Sequence, residues 1–208
     1  MRFVEREARL SATRLLVLGV VRMYGRAHGY QVRRELLTWS ADKWANVQPG
    51  SIYHALKKMT AEDLLEQVDV EPGEGGPDRT AYRLTGEGEQ EYQVLLSKAL
   101  SDPELNHPDL SAAISLMTTL PRARVINLLR HRLVHLQAEQ QQATLMLEEL
   151  KVNMGQGTPE HVGELYRLWS SISAASFGWL EGLIARLEAG EYVMADEGGE
   201  AFGEPPTR

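Results

Sequence analysis

The segment 48–60, QPGSIYHALKKMT, carries polar and positively charged side chains at intervals that a helix would bring to one side. Ser51, His54 and Lys58 are three and four residues apart, and Lys57 lies beside them. The opposite stripe is apolar: Ile52, Ala55, Leu56 and Met59. Hydroxyl, imidazole and ammonium groups can read base edges and neutralise phosphates in a nucleic-acid groove. The spacing therefore predicts a helix that packs through one face and binds DNA through the other.

Charge is distributed unevenly along the 208-residue chain, whose formal net charge is −7. Residues 1–60 contain 11 Lys and Arg against 4 Asp and Glu, and the remainder contains 11 against 25. The local excess of positive charge favours a polyanionic partner for the amino-terminal part alone. On charge alone, the interpretation that exposed arginines only keep the protein soluble stays equally open.

The composition is typical of a soluble globular protein, with 43% hydrophobic residues. The absence of cysteine excludes disulfides and thiolate metal sites. The longest apolar run, LLVLGVV at 15–21, is too short to span a bilayer. We therefore expect a cytoplasmic protein that has no membrane partner.

Two further helices are predicted ahead of the segment 48–60, over residues 11–24 and 29–39. Ser11 is a candidate N-cap of the first helix. In the second, Arg33 and Arg34 are expected to face outward. Its inward face is expected to contain Tyr30, Val32, Leu36 and Leu37.

A third helix and a hairpin follow these two helices. Pro49 suits the first position of a helix because its fixed φ is already helical. The preceding residues 40–47 are expected to include a small strand. Residues 64–84 predict a β-hairpin around the turn-rich PGEGGPD, flanked by Arg79 and Arg83. Three short helices followed by a hairpin indicate a winged helix-turn-helix, whose third helix enters the DNA major groove.

Several stretches between residues 14 and 96 together resemble the PadR family of transcriptional regulators. They are LLVLGVV, HGYQVRREL, VQPGSIYHALKKM, DLLEQ and RTAYRLTGEGEQEY. The family pattern has His-Gly-Tyr opening the second helix, Pro-Gly-Ser/Thr-x-Tyr opening the third and Tyr-x-Leu-Thr after the wing. The resemblance implies a homodimeric, usually repressive protein that binds double-stranded DNA and dimerises through a helical carboxy-terminal region.

Helix periodicity and the resemblance together assign nine residues to DNA binding. Ser51 and His54 are expected to touch base edges, because short polar side chains on the first turns lie deepest in the groove. The full predicted set is Tyr30, Gln48, Ser51, Tyr53, His54, Lys57, Lys58, Arg79 and Arg83. Ordinary solvated lysines and a packed tyrosine remain the alternatives. The acidic wing tip, with Glu71, Glu74 and Asp78, leaves wing contact open.

The carboxy-terminal half predicts two long helices, from Pro121 to about residue 152 and from Thr158 to about Glu188. Their apolar positions follow helical spacing along the whole length. An isolated helical hairpin cannot bury both stripes, so we expect a second copy of the chain to cover them.

The predicted fold is mostly α, with a winged helix-turn-helix followed by long antiparallel helices that form a dimerisation domain. The expected boundaries are 1–100 for the DNA-binding domain and 101–189 for the dimerisation domain. Residues 190–208 are rich in Gly, Pro and Glu and are expected to form a disordered acidic tail.

Aromatic residues on the last helix are candidates for binding a flat hydrophobic or aromatic effector. They are Trp169, Phe177 and Trp179. Some members of the family bind such effectors between aromatic side chains at the dimer interface. The alternative is that these side chains form interface core, where Trp and Phe are abundant.

Metal binding and catalysis find little support in the sequence. His131 and His135 have a helical spacing that permits metal binding, but nothing places His107 or His161 as a third ligand. We therefore expect surface or packed histidines and no metal. No nucleophile-base pair or phosphate loop is present, so neither a cofactor nor an enzyme is expected.

The sequence thus favours a sequence-specific DNA-binding regulator, a repressor acting as a homodimer on an inverted-repeat operator and responsive to a small effector. Two alternatives stay open. One is a module whose main property is effector binding through the carboxy-terminal helices. The other is a protein-interaction adaptor with weak or no DNA binding, which the acidic wing and acidic carboxy-terminal half would allow.

Overall fold

The structure, a computed structural model, describes residues 11–71, 79–104, 106–153 and 159–198. The described chain divides into two compact units. The first unit runs to residue 119, except for the short segment 101–103, which belongs with residues 120–198 to the second.

The first unit is built around a helix that is buried on nearly all sides. Its elements are α1 (Ala12–Tyr24), β1 (Ala27–His28), α2 (Gly29–Thr38), α3 (Ala41–Trp44), α4 (Pro49–Ala61), β2 (Leu65–Glu71), β3 (Arg79–Leu84), α5 (Gly86–Ser101) and α6 (His107–Leu116), then a 3-10 turn at Met117–Thr119. In α1 the residues from Leu15 to Val21 are all buried, because this stretch is apolar on every face. α2, α4, α6 and β3 pack around it.

A three-stranded antiparallel sheet has the order β1-β3-β2. Ala27 lies opposite Tyr82, and Leu65 lies opposite Leu84. The two longer strands are the predicted hairpin, whose tip at residues 72–78 lies outside the described residues. β1 has only two residues, too few for a periodic signal in the sequence.

The small strand predicted within residues 40–47 is wrong. Residues 41–44 form the short helix α3 instead, after Ser40 takes a left-handed conformation with φ of 56°. The Trp44 indole donates a hydrogen bond to the Trp39 carbonyl at 2.8 Å, which holds this turn against the end of α2.

The predicted inward face of α2 is only half right. Val32 and Leu36 are buried, but Tyr30 and Leu37 are 46% and 40% exposed. Glu35 is buried as well, and its carboxylate accepts hydrogen bonds from the Tyr24 hydroxyl at 2.9 Å and the Trp39 indole at 3.1 Å. A carboxylate that accepts two hydrogen bonds can be buried at this position. The buried face of α2 is therefore centred on Val32, Glu35 and Leu36 and excludes Tyr30 and Leu37.

A buried pair of hydroxyl groups joins α5 to the 3-10 turn that follows α6. The Tyr92 side chain is fully buried, and its hydroxyl lies 2.6 Å from the Thr119 hydroxyl. Burial raises the pKa of Tyr92 to about 12, although the Thr119 hydrogen bond opposes the shift. At the start of α5, a Cβ on Gly88 would lie 2.0 Å from the Leu64 carbonyl oxygen, so the backbones approach too closely there for any side chain.

The second unit contains two long helices, α7 (Arg122–Asn153) and α8 (Gly163–Glu188), with a 3-10 turn at Glu160–Val162 between them. Arg130 near the start of α7 pairs with Glu188 at the end of α8, so the two helices run antiparallel as predicted. Leu129, Leu180 and Leu187 are among their buried apolar residues. α8 begins later than predicted; Thr158 lies outside the described residues.

Residues 190–198 belong to the segment expected to be disordered, yet they are held against the helix pair. Met194 is fully buried. The Arg122 guanidinium donates to the carbonyls of Leu187 and Tyr192 and to the Glu197 carboxylate, with an Nη2–Oε2 distance of 2.6 Å. An apolar anchor and a set of charge-assisted hydrogen bonds outweigh the Gly- and Glu-rich composition here. Residues 199–208 lie outside the described residues.

The fold class predicted from the sequence is confirmed: mostly helix, with a winged helix-turn-helix and long carboxy-terminal helices. In the described part of the chain, no helix is long and apolar enough to cross a membrane.

Candidate nucleic-acid interface

α4 begins where the sequence predicts, with Pro49 at its first position. Gln48 is the N-cap residue in extended conformation, but its side chain makes no cap hydrogen bond. Its carbonyl oxygen instead accepts from the Ser51 hydroxyl at 2.7 Å and from the Ser51 N–H at 3.0 Å. The Ser51 proton is therefore engaged, and the oxygen lone pairs remain to accept a hydrogen bond from a partner.

One face of α4 fixes the helix in the first unit. Ile52, Leu56 and Met59 are buried, as predicted, and Ala55 is half-buried. They pack against α1, α2 and β2. Because this stripe is anchored to three elements, the other face of the helix is rigidly presented.

The outward face of α4 contains the predicted polar residues. Tyr53, His54, Lys57 and Lys58 are exposed, and Ser51 is half-buried. Within the described residues, neither lysine lies within 4.0 Å of a carboxylate. The helix thus offers one imidazole, two ammonium groups and a phenol to a partner in solution.

The described arginines of the first unit are often engaged in ion pairs, in contrast to these lysines. Arg14 bridges Glu62 and Glu91 at 2.6 and 3.0 Å, and Arg22 pairs with Glu89 at 2.9 Å. These arginines connect α1 to α4 and α5. Part of the positive charge counted in the first 60 residues therefore serves packing, and the two lysines of α4 carry charge that is available to a polyanion.

Tyr53 sits against the start of α2. A Cβ on Gly29 would lie 2.7 Å from the Tyr53 ring, so the glycine leaves room for this ring. Tyr82 on β3 is its neighbour: burial raises the pKa of Tyr82, and the proximity of Tyr53 adds to the shift. Tyr53 is nevertheless 47% exposed, so part of its side chain packs and part remains accessible to a partner.

The start of α2 adds a second aromatic residue. The His28 ring stacks on the Tyr30 ring at 5.5 Å between centroids and 15° between planes. The backbone N–H of His28 donates to the Gln31 side-chain oxygen at 2.8 Å, which caps the helix. Tyr30 was predicted both to face inward and to bind DNA, and its exposure fits only the second of these predictions.

The outward face of α2 forms a shallow groove that the prediction of DNA-binding residues omitted. It is lined by Tyr30, Arg33, Arg34, Leu37 and Thr38. The sequence did contain a signal for it, because Arg33 and Arg34 were placed outward by helical spacing. The two guanidinium groups and the phenol on α2 add to the surface that could meet a phosphate backbone.

One of the two arginines that flank the wing forms an ion pair within the hairpin. Arg83 is exposed, but its guanidinium pairs with Glu66 across the hairpin at 2.8 Å. Glu66 lies directly opposite Arg83 in the strand register, which pattern analysis of single strands could not show. The side chains of Glu71 and Arg79, and the residues Glu74 and Asp78, lie outside the described part of the chain.

The three aromatic residues proposed for effector binding do not converge on one face of α8. Trp169 and Trp179 are 53% and 44% exposed, and Phe177 is half-buried. Phe177 and Trp179 are two positions apart, so they project from nearly opposite sides of the helix. Trp169 makes an edge-to-face contact with Tyr166 at 5.3 Å. A single chain therefore does not assemble these residues into one pocket.

One family model matches part of the chain. Residues 17–94 match the model of the transcriptional regulator PadR-like family. No curated protein matches the chain. Among solved structures, PadR of Bacillus subtilis in complex with operator DNA is 20% identical, with a TM-score of 0.38, and the alignment covers 84% of this chain and 98% of that one.

Two further solved structures are similar to the chain at the same level. PadR of Bacillus subtilis in complex with p-coumaric acid is 20% identical, with a TM-score of 0.36 and coverage of 85% and 99%. A PadR-like transcriptional regulator of Bacillus cereus is 17% identical, with a TM-score of 0.35 and coverage of 86% and 99%.

Proposed function

Since residues 17–94 are a domain of the PadR-like family of transcriptional regulators, we propose that this protein binds specific DNA sequences as a homodimer. It acts in the cytoplasm as a repressor that blocks promoter access. The finer parts of this proposal are the dimer, the direction of regulation and the response to an effector.

The observation that carries the proposal is the two-sided character of α4. Its apolar stripe is buried against three elements, while Tyr53, His54, Lys57 and Lys58 lie exposed on the other side. A helix held in this way can enter a major groove, where its first turns meet base edges and its lysines meet phosphates. Tyr30 and Ser51 complete the proposed contact set on this surface.

Homodimer formation is supported by apolar side chains that the second unit leaves in solvent. Leu165, Leu168, Trp169 and Ile172 form one stripe of α8 and are each about half exposed. A stripe of this spacing is buried by a second helix of the same kind. Two-fold symmetry then presents two copies of α4 to half-sites about 34–36 Å apart, one turn of DNA, arranged as an inverted repeat.

The experiment that tests the proposal is selection of genomic DNA fragments by the purified full chain, followed by fluorescence anisotropy on the recovered sequences. We expect an inverted repeat and a preference over scrambled duplex of about 10³-fold or more. Equal affinity for recovered and scrambled duplexes would contradict specific binding. Failure to retain any fragment at low salt would instead favour the alternative of a protein-interaction adaptor.

A small effector is the second part of the proposal, and the exposed tryptophans of α8 favour it. In a dimer, Trp169 and Trp179 from two chains could enclose a planar hydrophobic molecule that one chain cannot hold. Titration of the chain with planar aromatic acids should then quench tryptophan fluorescence and shift operator affinity together. Quenching without any change in DNA binding would support an effector-binding module, and a flat titration would contradict an effector site.

A further inference from the structure

The second unit carries a pair of histidines that the proposed function does not use. His131 and His135 lie one turn apart on α7, and both side chains are exposed. Their ring centroids are 4.8 Å apart, with 55° between the ring planes. From the sequence alone the two residues were interpreted as ordinary surface or packed histidines. The geometry of the rings is the new observation.

The distance between the two ring centroids is compatible with two imidazoles bound to one metal ion. With a metal–nitrogen distance of about 2.0–2.1 Å, each ring centroid lies roughly 3.2 Å from the metal, so ligands at 90–109° have centroids roughly 4.5–5.2 Å apart. The observed 4.8 Å falls inside this interval. The rings are therefore close enough to reach one ion once rotation about the side-chain bonds turns one nitrogen of each ring towards it.

A backbone carbonyl supports one of the two rings. His131 Nδ1 lies 3.4 Å from the Ser101 carbonyl oxygen. If Nδ1 carries the proton towards that oxygen, Nε2 keeps its lone pair for a metal, which is the arrangement that outer partners of metal-bound histidines impose. The segment 101–103 is fixed beside α7 because the Arg132 guanidinium donates to the Asp102 carbonyl.

We propose that His131 and His135 form a two-imidazole site for a borderline divalent transition metal such as Zn²⁺ or Ni²⁺. Nitrogen donors select these ions over Mg²⁺ and Ca²⁺, which prefer oxygen. In the described residues no group of three or more His, Cys, Asp or Glu surrounds the pair, so water fills the remaining coordination positions. The bound ion links two successive turns of α7 and stabilises the second unit.

The test uses the full chain, stripped of metal with a chelator and titrated with Zn²⁺ or Ni²⁺ in a calorimeter. We expect one ion per chain, no heat with Mg²⁺, and a rise in melting temperature with Zn²⁺. The second imidazole acts as an intramolecular ligand, so His131→Ala or His135→Ala should each weaken binding by at least about tenfold. His135→Ala leaves the Ser101 contact intact, which keeps the test valid if His131→Ala perturbs the fold.

His161→Ala is the matched control. His161 is exposed in the same unit but lies on the 3-10 turn before α8 and not on α7. It should bind both ions as the wild-type chain does. The proposal is overturned if the wild-type chain binds neither ion, if His131→Ala and His135→Ala bind like wild type, or if His161→Ala loses as much affinity as they do. None of these outcomes depends on DNA binding.

Discussion

The lysines of α4 are single residues whose role can be separated from that of the helix itself. Lys57 and Lys58 are exposed and unpaired within the described chain, so their removal should leave packing intact. We predict that Lys57→Ala plus Lys58→Ala lowers affinity for all duplexes and reduces the slope of log affinity against log salt by about 2–4 for a dimer. Anisotropy at several salt concentrations measures this.

A lysine elsewhere in the same unit serves as the control for this prediction. Lys98→Ala removes one exposed positive charge from α5 and should leave the salt slope nearly unchanged. His54→Ala should do the reverse of the lysine variant, changing the preferred sequence more than the salt slope, because an imidazole on the second turn meets base edges. Wild-type affinity in the double lysine variant would place α4 away from DNA.

The buried tyrosine of α5 gives a second prediction at the residue scale, concerning pH. Tyr92 is fully buried and burial raises its pKa to about 12, above the ordinary value of 10. The folded state favours the neutral form of Tyr92. Its contribution to the free energy of unfolding is therefore complete below pH 10 and is lost as the pH rises from 10 through about 12. At the highest pH this loss approaches roughly 2–3 kcal/mol.

Comparison of two variants isolates this contribution from the other groups that titrate in alkali. Tyr92→Phe should be close to wild type at pH 7, since the Thr119 hydroxyl still donates to the Leu116 carbonyl at 2.7 Å. Above pH 10 its unfolding free energy should fall less steeply than that of wild type. Tyr30→Phe, at an exposed tyrosine, should follow the wild-type curve in denaturant melts; parallel curves for all three proteins would refute the argument.

At the scale of elements, the approach of α5 to the loop before β2 depends on one glycine. A Cβ on Gly88 would lie 2.0 Å from the Leu64 carbonyl, and backbone atoms cannot move aside as a flexible side chain can. We predict that Gly88→Ala destabilises the first unit by about 1–3 kcal/mol. Gly86→Ala, two residues earlier in the same helix, meets open space and should be neutral or slightly stabilising. Urea melts distinguish them.

The attachment of residues 190–198 to the helix pair depends on Arg122. Its guanidinium joins the end of α8 to the Glu197 carboxylate, and the hydrogen bond from Arg122 lowers the pKa of Glu197. We predict that Arg122→Ala frees this segment, seen as faster amide hydrogen exchange around Met194. Arg130→Ala is the control, because its ion pair with Glu188 is largely exposed and contributes little. Unchanged exchange in Arg122→Ala would show that the remaining contacts of the segment, among them the buried Met194, are sufficient to anchor it.

How far the sequence predicts these elements depends on where the controlling contacts lie. The stripes of α4, the start at Pro49 and the hairpin follow from local spacing and were predicted correctly. The burial of Glu35 and the pairing of Arg83 with Glu66 are set by partners from other elements. For the same reason the predicted inward face of α2 was half wrong and the ion pair of Arg83 was not predicted, because the pattern of a single segment does not show its partners in other segments.

At the scale of the whole molecule, DNA binding and dimer formation are expected to be coupled. Each chain contributes one α4, so a monomer can engage only one half-site and loses the gain from simultaneous binding. The exposed stripe of α8 is the surface whose disruption tests this coupling without touching the first unit. Its central residues are Leu168 and Ile172, both about half exposed.

We predict that Leu168→Glu plus Ile172→Glu converts a dimer to a monomer and weakens operator binding by at least about 100-fold. Placing two carboxylates in an apolar interface leaves them buried without partners or repelling across the two-fold axis. Ser171→Glu plus Ala174→Glu adds the same charge on other sides of α8 and should leave both properties unchanged. Light scattering and anisotropy on the same samples measure the two effects. A monomeric double variant that keeps full operator affinity would contradict the coupling of DNA binding to dimer formation. A wild-type chain that is already monomeric would contradict dimer formation itself.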